Sequence, residues 1–176
     1  MSTVSEDVFS AVQAGNWDVA AAGAGNLTQT WRAYRQGEVP LRIAGELERG
    51  LETLAAAIEA RDQARAGTAA IDVAQSTLDL KLRHQPQAEI DLARFELWTR
   101  QILVDAAAGV QGGVSGDIAT IKWIRDRFAP SLEPADLTTI DVHLGALGES
   151  VIDQDIDAAT EEAASLRATL AAIGPS

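Results

Sequence analysis

Between Leu47 and Ile58 the apolar residues stand at Leu47, Leu51, Leu54 and Ile58, spacings of 4, 3 and 4 that put them on one face of a 3.6-residue helix. Glu46, Glu48, Glu52 and Glu59 occupy the other face. Followed onward through Asp62, Ala66 and Ala70, the row steps by four each time, and each such step overshoots a helical turn by about 40°. A straight helix cannot hold that stripe against one core. The pattern therefore predicts a turn between Ala60 and Gly67, with Asp62 as the N-cap of the next helix, whose own row runs Ala70, Val73, Thr77, Leu80.

The second half repeats this arrangement 93 positions on, with Ile140, Leu144, Leu147 and Val151 in the place of the first row and Asp155 in the place of Asp62. Ala163, Leu166, Leu170 and Ile173 match the second row. Upstream the register stays open: Trp31 and Arg35 match Trp123 and Arg127 at 92 positions, whereas Leu27 and Tyr34 match Ile121 and Phe128 at 94. A duplicated unit of about 90 residues is the reading.

Breaks elsewhere fit eight helices. Ala14-Gly15-Asn16 is a turn, Gly37 and Pro40 flank another, and Pro130 to Pro134 separates two helices. Gly109 to Gly116, GVQGGVSG, reads as a flexible loop or hinge inside the second half, and Gly174-Pro175 ends the last helix. In LKLRHQPQAEIDLARFELW, residues 80 to 98, Lys81, Arg83 and His84 suit the last turn of one helix, while Pro86, Glu89 and Asp91 suit the first turn of the next. The stretch is a seam between two units, 1–84 and 85–176. No segment alternates with the period of two that a strand requires. The expected architecture is all-α: two sequence-related four-helix units forming an antiparallel helical bundle or array.

Composition narrows the function more than it names it. Ala supplies much of the 47% apolar content and aromatics only 5%, which suits helix. The net charge is −12, split as −3 up to His84 and −9 beyond it, and no Lys or Arg lies between Phe128 and Leu166. A nucleic-acid partner is not expected, because phosphate binding needs clustered cations. With no cysteine, thiolate metal sites, disulfides and cysteine nucleophiles are excluded. No apolar run approaches the roughly 18 residues of a membrane span, so no membrane insertion is expected. The first residues, MSTVSEDVFSAVQAGNWD, do not resemble a signal peptide, so the expected compartment is either the cytoplasm or, for a domain read without its signal, outside it.

Four candidate chemistries remain. Trp31 with Arg35, and Trp123 with Arg127, place an indole and a guanidinium four apart on a helix face, where they can stack and contact an anionic or aromatic ligand or a partner. Asp153, Asp155 and Asp157 alternate like the start of a calcium loop, but the sixth and twelfth positions hold Ala158 and Ala164 instead of Gly and Glu. Acidic capping of a helix start accounts for them equally. His84 and His143 are candidate acids or bases, without an HExxH or Glu-x-x-His pattern. Gly23 and Gly25 read as small-residue helix packing or turns, and no GxSxG elbow occurs. The expectation is a non-enzymatic binding or scaffold protein recognising a protein partner or small ligand, without cofactor. A divalent-cation binder, calcium first, is the alternative, and an enzyme using His143 or His84 the third.

Overall fold

The computed structural model describes residues 2 to 173. The protein is all-α, with eight α-helices and no strand among the described residues. The chain divides into two compact units, Met1–His84 and Gln85–Ser176.

The first unit contains α1 (Ser2–Gln13), α2 (Trp17–Tyr34), α3 (Leu41–Glu59) and α4 (Gln63–Lys81). Each helix packs against two others in a closed ring: α1 on α2 and α4, α3 on α2 and α4. The row read from the sequence lies in the core, since Leu47, Leu51, Leu54 and Ile58 are all buried. Val8, Leu27 and Trp31 of α1 and α2 are buried as well. Gly23 is a packing glycine, because a Cβ there would run into Val8.

The second unit repeats the ring with α5 (Gln87–Ala107), α6 (Gln111–Phe128), α7 (Pro134–Asp153) and α8 (Ile156–Ala172). A short 3-10 turn, Ala129–Ser131, follows α6. Phe95 and Phe128 meet edge to face at 5.3 Å, and Ile102, Ile121, Ile140, Leu147 and Leu166 close around them. Each such aliphatic side chain contributes roughly 1.5–3 kcal/mol when fully buried.

Two turns recur. Gly15 and Gly109, 94 positions apart, both adopt left-handed backbone, φ 69° and 70°. Arg61 and Gln154, 93 apart, do so without being glycine, φ 53° and 57°. After each of the latter pair an aspartate caps the next helix: the Asp62 carboxylate accepts from the Arg65 amide at 3.1 Å, and that of Asp155 from the Ala158 amide at 2.9 Å. The predicted turn and its cap are therefore present. Helices α2 and α6 are both 18 residues long and start 94 positions apart.

Three expectations are corrected. Only Gly109 of the GVQGGVSG stretch is a turn; Gly112, Gly113 and Gly116 lie inside α6. Gly113 is needed there because the Asp105 side chain of α5 lies against it where a Cβ would stand. At the seam, α4 ends at Lys81, so Arg83 and His84 follow it instead of forming its last turn, and Pro86 is the N-cap of α5, not its first residue. Gly174 and Pro175 lie outside the described residues.

The caps give a direct test of the turn geometry. Asp155→Ala is expected to destabilise the second unit by about 1 kcal/mol, whereas Gln154→Gly is expected to stabilise it by about 0.5 kcal/mol through relief of the left-handed strain. Urea unfolding of both variants checks the two signs.

Candidate functional site

On the outer face of α2 the side chains shrink to Ala21, Ala24, Gly25 and Thr28, a stripe at helical spacing. Opposite them the end of α3 brings Ala55, Ile58 and Glu59, and the turn adds Arg61. Because neither wall projects far, a groove of about 820 Å³ opens between α2 and α3. It runs from Trp17 and Asp18 past Gln29 to Arg32, about 22 Å along the helix at 1.5 Å per residue. Both α3 and the Arg61 turn wall the Trp17 end.

Four charged side chains line this groove, and none pairs with another side chain among the described residues: Asp18, Arg32, Glu59 and Arg61. Other surface charges nearby are paired, Arg35 with Glu48 and Arg42 with Glu46. Asp62 is unavailable to Arg61 because it caps α4. Thr28 donates its hydroxyl to the Ala24 carbonyl at 2.9 Å, leaving its methyl group for the groove.

One end of the corresponding seam of the second unit holds only a small crevice. There Gln111, Val114 and Ser115 of α6 face Ser150, Val151 and Gln154 around a crevice of about 10 Å³. Ninety-four positions beyond Ala24, Gly25 and Thr28 stand Ile118, Ala119 and Lys122. Ile118 is buried in the core, and Lys122 lies across Gly148, its Nζ 2.6 Å from where a Cβ would be. Along this face the side chains of α6 are larger than those of α2.

The residues picked from sequence fall into different places. Trp31 is 2% exposed, its indole N–H 3.4 Å from a Glu48 carboxylate oxygen and its ring stacked on Tyr34 at 6.2 Å. Arg35 pairs with the same Glu48. Trp123 is 62% exposed, and the Arg127 guanidinium lies over its ring at 4.8 Å. Arg127 is held from below by Asp91, which is buried, at 3.0 Å, with Arg94 at 3.5 Å on the other oxygen. The two Trp–Arg pairs are thus a core anchor and a surface platform. At the spacing of 94 that relates α2 to α6, Trp31 corresponds to Arg125 and Trp123 to Gln29.

Asp153 ends α7, Asp155 caps α8 and Asp157 lies in its first turn. Among the described residues no three His, Asp or Glu side chains converge to hold a metal ion. His84 is exposed. His143 is largely buried between α7 and α8, one ring nitrogen paired with Glu162 and the other 2.9 Å from the Thr169 hydroxyl. The order carboxylate, imidazole, hydroxyl is that of a base-activated nucleophile. Acyl transfer also needs amide donors for the developing oxyanion, and around Thr169 the backbone is engaged in α8, with Ile173 N–H donating to the Thr169 carbonyl at 3.2 Å. The contact ties two helices together.

Sequence reasoning missed the groove charges, the Glu162 and Thr169 partners of His143, and the pair Asp105 and Asp117. The last two come from α5 and α6 and meet only through packing. Asp117 is 6% exposed, with Oδ2 buried and unpartnered, while Gln101 donates to Asp105 at 2.9 Å. Burial first, then the Asp105 charge and a hydrogen bond between the two, push the Asp117 carboxyl up to about 7.

Two outcomes follow from this geometry. Trp31→Ala should destabilise the protein by about 3–5 kcal/mol as a buried aromatic is lost, and Trp123→Ala by no more than about 0.5 kcal/mol, both read from urea unfolding. Asp117 binds its proton more tightly folded than unfolded, so its stabilising effect is present at low pH and is lost as pH rises from about 4 through about 7. Asp117→Asn should therefore gain more over wild type at about pH 8 than at about pH 5. A gain that does not change with pH would show that Asp117 is ionised throughout. In comparisons with known proteins the chain matches no family model, no curated protein and no solved structure.

Proposed function

We propose that the protein is a non-enzymatic helical binding protein whose first unit takes a small amphipathic ligand in the α2–α3 groove. The observation that carries this reading is the groove itself, about 820 Å³, against a crevice of about 10 Å³ at one end of the matching seam of the second unit. Its volume lies in the range of about 300–1,000 Å³ typical of small-molecule sites, and an apolar surface edged by a few charges is their usual chemistry. A common origin of the two units belongs to the same reading: one copy keeps small residues on the helix face and binds, the other fills that face and serves as structure.

A protein partner is the second reading, and Trp123 favours it. An exposed indole braced by an arginine that a buried carboxylate holds in place is the kind of anchor that dominates interfaces. The four-helix rings then act as scaffold for both surfaces. Among the described residues no helix is long and apolar enough to cross a membrane.

The groove is tested with N-phenyl-1-naphthylamine, a neutral apolar fluorophore. Wild type should bind it saturably, and Gly25→Trp should weaken binding at least about tenfold, equivalent to about 1.4 kcal/mol, with unchanged circular dichroism. The fold tolerates that substitution because a Cβ at Gly25 meets nothing within 4 Å. Equal binding by wild type and Gly25→Trp would overturn the groove as the site.

A further inference from the structure

One end of the groove, where α2 begins and α3 ends, is lined by Trp17, Asp18, Glu59 and Arg61. We propose that it selects an amphiphile with a zwitterionic head, an ammonium carrying an anionic group, whose tail lies over Ala21, Ala24 and Gly25. The inference rests on the reading that this groove is a ligand site, and it names the ligand class.

The charges decide the head. A ligand bearing only an anion meets the carboxylates of Asp18 and Glu59; one bearing only a cation meets Arg61. A head with both signs satisfies all three. Trp17, half-buried at this end, adds an aromatic face, the surface on which alkylated ammonium groups are held by cation–π attraction. Arg61 is left for the anion by the local backbone: its left-handed conformation, φ 53°, ends the α3–α4 turn, and the adjacent Asp62 carboxylate is engaged by the Arg65 amide. No side chain among the described residues neutralises Asp18, Glu59 or Arg61 in its absence.

Beyond the head, the helix face decides the tail. Ala21, Ala24 and Gly25 offer no functional group, and the Thr28 hydroxyl is turned back to the Ala24 carbonyl. The surface from Ala21 to Thr28 is therefore methyl and methylene, with Ile58 and Ala55 on the opposite wall. About 22 Å of helix separates Trp17 from Arg32, enough for an extended chain of roughly a dozen carbons beyond the head.

Three C12 probes with one tail and different heads isolate the effect: dodecylphosphocholine, dodecyl sulfate and dodecyltrimethylammonium, each below its micellar concentration, displacing N-phenyl-1-naphthylamine while circular dichroism follows the fold. Dodecylphosphocholine should displace at about tenfold lower concentration than either singly charged probe, about 1.4 kcal/mol of preference. Glu59→Gln and Arg61→Gln should each erase most of that preference without changing the affinity for the fluorophore. Glycerophosphocholine, the head alone, should bind at least about tenfold more weakly than the C12 compound, and phosphatidylcholine vesicles should not retain the protein; vesicle binding would place the head chemistry at a membrane surface and overturn the single-amphiphile proposal. Equal displacement by all three C12 probes overturns the zwitterion and leaves the groove standing. Absence of fluorophore binding overturns the groove, and calorimetric silence with dodecylphosphocholine overturns the inference independently.

Discussion

Each unit depends on how a helix is reversed. After α3 and after α7 a single non-glycine residue takes up left-handed backbone, and the next residue is an aspartate whose carboxylate accepts the amide three positions on. That combination ends one helix and starts the next within a few residues, so consecutive helices pack antiparallel with their apolar rows facing each other. The ring of four helices in each unit, and the core inside it, follow from these reversals. In the first unit the same turn does something more. By committing Asp62 to the backbone it leaves the Arg61 guanidinium unpaired at the mouth of the groove.

Once the rings are closed, side-chain size on α2 and α6 decides what each unit can do. Burial would favour filling the space between α2 and α3, as Ile118 at the matching position of α6 is buried in the core of the second unit. Ala24, Gly25 and Thr28 leave it open, and water or a ligand must occupy it. The first unit thus forgoes apolar burial at one place while keeping a complete core from Leu47 to Ile58 on the inner face of α3. A groove walled by helices in this way is held by the core behind it, unlike one walled by loops.

The second unit places its unusual residues inside. Asp91 is buried and matched by Arg127 and Arg94, His143 is bonded at both ring nitrogens, and burial beside Asp105 pushes the Asp117 carboxyl up to about 7. Asp91 and His143 have found partners across a helix interface, as desolvated polar groups must, whereas Asp117 Oδ2 has none and its carboxyl is pushed toward the protonated form. The contrast with the groove is physical: exposed Asp18, Glu59 and Arg61 stay hydrated and can remain unpaired, whereas buried carboxylates can be accommodated only by cations, donors or a proton.

Much of the fold was legible in the chain. The 4-3-4 spacing of Leu47 to Ile58, its drift through Asp62, and the recurrence near Ile140 located helices, turn and cap, because those features are set by backbone geometry and by neighbours within about a turn. Gly109 was readable as a turn; Gly113 was not readable as helix, since what requires a glycine there is the Asp105 side chain arriving from α5. The site was less legible still. Trp31 and Trp123 look alike in sequence, yet one lies in a core and the other in solvent, and nothing within four residues of either says which. Local spacing determined the elements and their ends. Only tertiary packing decided which face of α2 lacked a neighbour, and which distant charges met there unpaired, because burial and electrostatic pairing depend on residues the chain brings together from far apart.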